Sequence, residues 1–100
     1  MEGFNIPTYI LLSTLTEEGA QTLKNRPQRL KEVNKEVEGM GAKILAQYAV
    51  LGPYDFVTIV EAKDNETIAR VSVNLGSRGS VRVQTMAALP VDAFLNSIKA

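Results

Sequence analysis

The stretch Ala46-Gln47-Tyr48-Ala49-Val50-Leu51-Gly52-Pro53-Tyr54-Asp55-Phe56-Val57-Thr58-Ile59-Val60-Glu61 is the most strongly specified part of this chain. Val, Ile, Tyr and Phe suit a pleated, half-buried surface, whereas Gly and Pro side by side interrupt the run. Two strands joined at Gly52-Pro53 are therefore expected, and the flanking segments can be arranged around that hairpin.

Working outward, Asp64-Asn65-Glu66 has the character of a helix start, and Ile68, Val71 and Leu75 follow at helical spacing as a buried stripe. Val71 and Val73 are poor helix formers, so this helix depends on packing. Gly76-Ser77-Arg78-Gly79 reads as a loop, Ser80 to Leu89 as a strand, and Pro90 to Ile98 as a short helix with Phe94, Leu95 and Ile98 on its apolar side. Before the hairpin, Leu30, Val33, Val37 and Met40 form the stripe of a helix that Gly39 and Gly41 end, with Arg29, Lys31, Glu32, Lys35 and Glu36 facing water. Pro27 separates it from an earlier helical piece that Thr16, Glu17 and Glu18 open. The run from Ile6 to Leu15 is apolar on both alternating faces, the pattern of a strand covered on both sides.

The order strand, helix, strand, strand, helix, strand gives an α+β, ferredoxin-like split βαββαβ arrangement, a four-stranded antiparallel sheet with its main helices on one face. Residues 1–5 are expected to be a flexible leader and residues 6–100 a single domain. Two helices cover one face of such a sheet only. Both faces of the first strand are apolar and the other strands alternate poorly, so the uncovered face would expose more apolar surface to water than monomers usually do, and a homodimer or higher homo-oligomer packing sheet on sheet is expected.

The totals exclude several classes of function. The chain has 100 residues, with 11 basic and 11 acidic side chains that cancel and no basic tract to neutralise a phosphate backbone, so nucleic acid is not an expected partner. It has no cysteine, hence no disulfide or thiolate chemistry, and no histidine, the commonest general base and transition-metal ligand. No metal or cofactor is expected. No run reaches the ~18 apolar residues of a membrane span, and no signal peptide is evident, so a cytoplasmic location follows by default.

Among candidate site residues, Asp55 stands between Tyr54 and Phe56, where a carboxylate costs free energy unless something pairs with it. It is either a turn carboxylate holding backbone amides or a ligand contact. Tyr9, Tyr48 and Tyr54 either pack or turn their hydroxyls into a pocket. Arg78 and Arg82 could receive a carboxylate or phosphate beside a loop that Gly76 and Gly79 loosen, or simply decorate a charged surface. The glycines lack the spacing and the Lys-Ser/Thr ending of a phosphate loop.

Pro7-Thr8-Tyr9-Ile10-Leu11-Leu12, Arg29-Leu30-Lys31-Glu32-Val33-Asn34 and the run from Gln47 to Asp55 together resemble the GYD domain family, with Pro53 standing between the Gly and the Tyr-Asp of the family name. The likeness runs from about Pro7 to Phe94. It implies a dimeric α/β barrel and no particular reaction. A more distant likeness is to the effector-binding domain of Lrp/AsnC regulators, whose hairpin also runs Gly, Tyr-Asp and an apolar strand. It implies an amino-acid site at a subunit interface near Gly52 and Asp55, without the DNA-binding helices. A third relative by fold, the cofactor-free monooxygenases and isomerases of the same barrel, often use a histidine that is absent here. The expectation is a small-metabolite-binding, sensor-like protein with its ligand near Tyr48, Gly52, Tyr54, Asp55 and Arg78. The alternatives are a small enzyme with Asp55 as base, or a purely structural assembly module.

Overall fold

A computed structural model describes residues 6–99; the expected leader at residues 1–5 lies outside them. In chain order the elements are β1 (Thr8–Leu15), α1 (Glu17–Asn25), α2 (Arg29–Gly39), β2 (Lys43–Ala49), β3 (Phe56–Glu61), α3 (Asn65–Ser77), β4 (Val81–Ala88) and α4 (Val91–Ile98). The strands form one sheet in the order β2-β3-β1-β4, antiparallel at every neighbouring pair. This is the ferredoxin-like arrangement expected, its first crossover split into two helices and its last strand followed by a fourth.

Local chemistry sets the boundaries. Thr16 is extended and its hydroxyl accepts from the Gly19 amide at 3.1 Å, satisfying a donor that the first turn of α1 leaves free. Asp64 caps α3 in the same way, accepting from the Thr67 amide at 2.9 Å and from the Thr67 hydroxyl at 2.6 Å. Pro27 cannot continue α1, and Gly41, at φ +107°, turns the chain out of α2 in a conformation that favours glycine.

Register decides which side chains meet. Ile10 lies opposite Ile59 and Met86, whereas Leu11 lies opposite Thr58 and Thr85. Tyr9 and Leu11 of β1 and Val60 of β3 are buried against Val37 of α2 and Ile68, Val71 and Leu75 of α3. Burial of Val71, which is 0% exposed, explains how α3 tolerates its β-branched residues: packing outweighs a propensity deficit of a few tenths of a kcal/mol. The Tyr9 hydroxyl is not stranded in this core, because it donates to Asn65 Oδ1 at 2.5 Å.

The hairpin is centred where the sequence places it, with Gln47 opposite Thr58 and Ala49 opposite Phe56. Its ladder stops earlier than expected, however, leaving residues 50–55 as a loop. Gly52 has φ +118°, and the Asp55 amide leaves the hairpin to donate to the Ser13 carbonyl of β1 at 2.8 Å. On β2 the register shifts between Ile44 and Ala46, a bulge that leaves Leu45 46% exposed.

The face turned away from the helices carries Ile10, Leu12, Val57 and Ile59, all incompletely buried, with Tyr48 60% and Met86 44% exposed. No residue of α4 is buried, and its Phe94, Leu95 and Ile98 remain largely exposed. The expected apolar open face is therefore present.

Candidate functional site

A cleft of about 120 Å³ lies between α1, α2 and the helix-facing side of the sheet. Its apolar wall includes Leu11, Leu30, Val33 and Phe56, which the strand and helix periodicities direct to the same layer. Within that layer sits a group of polar side chains. Asn34 follows Leu30 by one helical turn, and Gln47 and Thr58 face each other across the hairpin. Asn34 Nδ2 donates to Gln47 Oε1 at 2.8 Å, and Gln47 Nε2 donates to Asn34 Oδ1 at 3.2 Å and to Thr58 Oγ1 at 3.1 Å. The two amides thus satisfy one another. The Thr58 hydroxyl only accepts, so its proton has no acceptor among the described residues although Thr58 is buried.

Arg29 and Arg78 also line the cleft. Arg29 Nη1 donates to Glu32 at 3.2 Å and to Glu36 Oε2 at 3.4 Å. Arg78 Nη2 donates to Asn74 Oδ1 at 2.7 Å, and its Nη1 is in ion-pair contact with Glu36 Oε1. That contact is close but off the N–H direction, so the buried Nη1 makes no directed hydrogen bond. Arg78, ahead of Arg29, holds the Glu36 carboxyl below its ordinary value, and Glu32 raises Arg29. Lowered Glu36 and raised Arg29 are both charged at neutral pH.

The residues expected to form a site do not meet in one place. Arg78 lines the cleft, whereas Tyr48 stands exposed on β2, opposite Val57 on the open face. The Tyr54 hydroxyl reaches over β1 to donate to Gln84 Oε1 at 2.9 Å. Asp55 Oδ2 accepts from the Leu15 amide at 2.8 Å, and Gly52 has open space where a Cβ would stand. Arg82, considered with Arg78 as an anion receptor, is exposed opposite Thr14, on the other side of the sheet. Arg29, which the sequence pattern assigns to a solvated face, lines the cleft instead, and Asn34, Gln47 and Thr58 are not marked by the sequence as site residues. The signal available for the last three was a polar side chain at a core-facing position of an otherwise apolar pattern.

Among the described residues no group of three or more acidic, histidine or cysteine side chains is placed to hold a metal, and no helix is long and apolar enough to cross a membrane. The GYD domain model matches residues 9–98. This chain belongs to the GYD domain family. A relative from Thermus thermophilus is 54% identical over 95 residues, 94% of this chain and 100% of that protein, and is described as a glutamine synthetase and cystathionine beta-lyase binding protein. Among solved structures, MtbAldR superposes with a TM-score of 0.63 at 18% identity, over 88% of this chain and 60% of that one. The leucine response regulatory protein LrpA of Mycobacterium tuberculosis gives 0.59 at 12% identity, over 90% and 62% respectively. These Lrp/AsnC neighbours share the fold of the GYD chain, which spans under two thirds of their length.

Proposed function

We propose that this GYD protein is a homo-oligomeric binding protein that docks onto enzymes of amino-acid metabolism and does no chemistry of its own. The observation that carries the reading is the open sheet face, where Ile10, Leu12, Val57, Ile59 and Met86 form a contiguous apolar surface that, among the described residues, has no helix to cover it. Four strands ~4.8 Å apart and up to eight residues long at ~3.3 Å each span about 500 Å² in projection. That is the order of the ~800 Å² per partner in a standard interface. Two copies packed face to face bury it. Leu51, 100% exposed in the hairpin loop, and Phe94, Leu95 and Ile98 of α4 then remain for an enzyme. The name of the Thermus relative supports glutamine synthetase as the first enzyme to try.

A metabolite site at the subunit interface is the second reading. It is favoured by Tyr54, whose hydroxyl arches over the face that a second copy would cover, and by Asp55 Oδ1, which has no donor among the described residues.

The test combines light scattering of the purified protein with biolayer interferometry against the glutamine synthetase of the same organism. A dimer that binds the synthetase, with binding lost in Phe94→Asp and the dimer kept, is the expected result. A monomer, or a dimer blind to both glutamine synthetase and cystathionine beta-lyase, overturns the proposal.

A further inference from the structure

We propose that the cleft between α1, α2 and the sheet binds a small monocarboxylic acid with a short apolar tail, a ligand separate from the protein partner argued above. Three observations meet there. The cleft's volume of about 120 Å³ is empty of side chains, equal to roughly four waters at ~30 Å³ each, room for a branched acid of a few carbons. Its inner wall at Leu11, Leu30, Val33 and Phe56 is apolar, which suits a hydrocarbon tail and not a sugar or nucleotide.

The charged side chains that line the cleft are both cationic, Arg29 and Arg78, and the acidic partners Glu32 and Glu36 with which they pair are not part of its lining. An acid therefore meets positive charge at one end of the cleft and apolar wall along the rest. Arg78 lines the cleft, and an arginine fork matches a carboxylate in plane and spacing.

The third observation concerns the polar group inside. The Asn34 and Gln47 amides are spent on each other, whereas the buried Thr58 hydroxyl keeps a proton to donate. An acceptor on the ligand, such as a 2-oxo or 2-hydroxy oxygen, is what this proton would meet. Both Glu36 oxygens are already engaged by arginines, so among the described residues the cleft has no spare carboxylate for an ammonium group. The geometry therefore selects a 2-oxo acid over the corresponding amino acid.

The experiment is a titration calorimetry series on the intact protein with 2-oxoisovalerate, isovalerate, isovaleramide, valine and sulfate. The acids should bind, 2-oxoisovalerate more tightly than isovalerate, while the neutral amide and sulfate give no heat. Arg78→Met should weaken the acids ~10–100-fold, the worth of a charge-assisted hydrogen bond. Leu30→Trp, which fills the cleft while keeping both arginines in the chain, should abolish binding and still melt cooperatively, so a loss through misfolding is distinguished from loss of the site. Amide binding as tight as acid, valine binding better than 2-oxoisovalerate, or heats unchanged in Leu30→Trp would each overturn the assignment, as would no heat from any acid. Enzyme docking is read separately, by interferometry with the synthetase and no acid present.

Discussion

Asp55 Oδ2 accepts the backbone amide of Leu15 at 2.8 Å, tying the loop that precedes β3 to the last residue of β1. At this end of the sheet β3 has already stopped, since its pairing with β1 ends at Ser13 opposite Phe56. The carboxylate takes over where the ladder leaves off, and the Asp55 amide, bonded to the Ser13 carbonyl, makes the link two-sided. Replacing Asp55 with Ala leaves the Leu15 N–H without its acceptor at a cost of ~1–3 kcal/mol. Asp55→Asn keeps an acceptor oxygen in the same place and should cost much less. Chemical denaturation of the two variants measures the difference; equal losses would mean that charge, not the amide acceptor, is what matters.

Gly19 is the second point of enforced closeness. A Cβ there would overlap the backbone carbonyl of Ser80, which already accepts from the Thr16 amide at 3.0 Å. Gly19→Ala gains up to ~1 kcal/mol of helix propensity but must push α1 off the segment before β4, and overpacking of this kind typically costs ~1–3 kcal/mol. We expect a net loss of stability, read as a lower denaturation midpoint with an unchanged slope.

On the open face, Ile59 stands at the centre, opposite Ile10 and beside Ala46. Ile59→Arg places an exposed charge on a monomer at little cost but buries it, unpaired, between two copies. Light scattering should show the mass of one chain with an unchanged circular dichroism spectrum. A dimer that survives the substitution would place the interface elsewhere.

Acid should weaken the fold through two identified carboxyls. Asp64 is held below its ordinary value chiefly by the Thr67 hydroxyl, and Glu36 chiefly by Arg78. Because both values are depressed in the folded chain, the unfolded chain binds more protons in the acidic range, so stability rises with pH there. The contribution is complete above the unfolded carboxyl values near ~4 and is lost as pH falls through the lower folded ones. Melting temperatures measured from neutral pH downward should fall through this window, and more gently in Asp64→Asn and Glu36→Gln, whose capping or pairing side chains no longer titrate.

Much of this architecture is legible along the chain. The caps at Thr16 and Asp64 are local chemistry, and the alternation of Tyr9 and Leu11 with Ile10 and Leu12 marks two faces before any partner strand is known. The hairpin register also follows from its Gly-Pro centre. What the sequence hides is long-range. Asp55 looks like a stray carboxylate until β1 supplies the Leu15 amide, and Arg29, on a helix that reads as solvated, comes to share Glu36 with Arg78 only because Arg78, just past the end of α3, reaches α2. Gln47 and Thr58 interrupt apolar strands for a reason that appears only when Asn34 comes down from α2 to meet them.

Gln47 and Tyr48 are neighbours in β2, one bonded to Thr58 in the cleft and the other exposed on the opposite side. A single backbone's thickness separates the two sides, so an acid held beside Gln47 would sit against the same strand that a second copy would grip. Any preference of the paired form for the acid must return as an equal preference of the acid-bound chain for pairing. If the cleft holds an acid and the open face a second copy, such a sheet would act as a balance, in which the supply of the acid sets how many copies stand together.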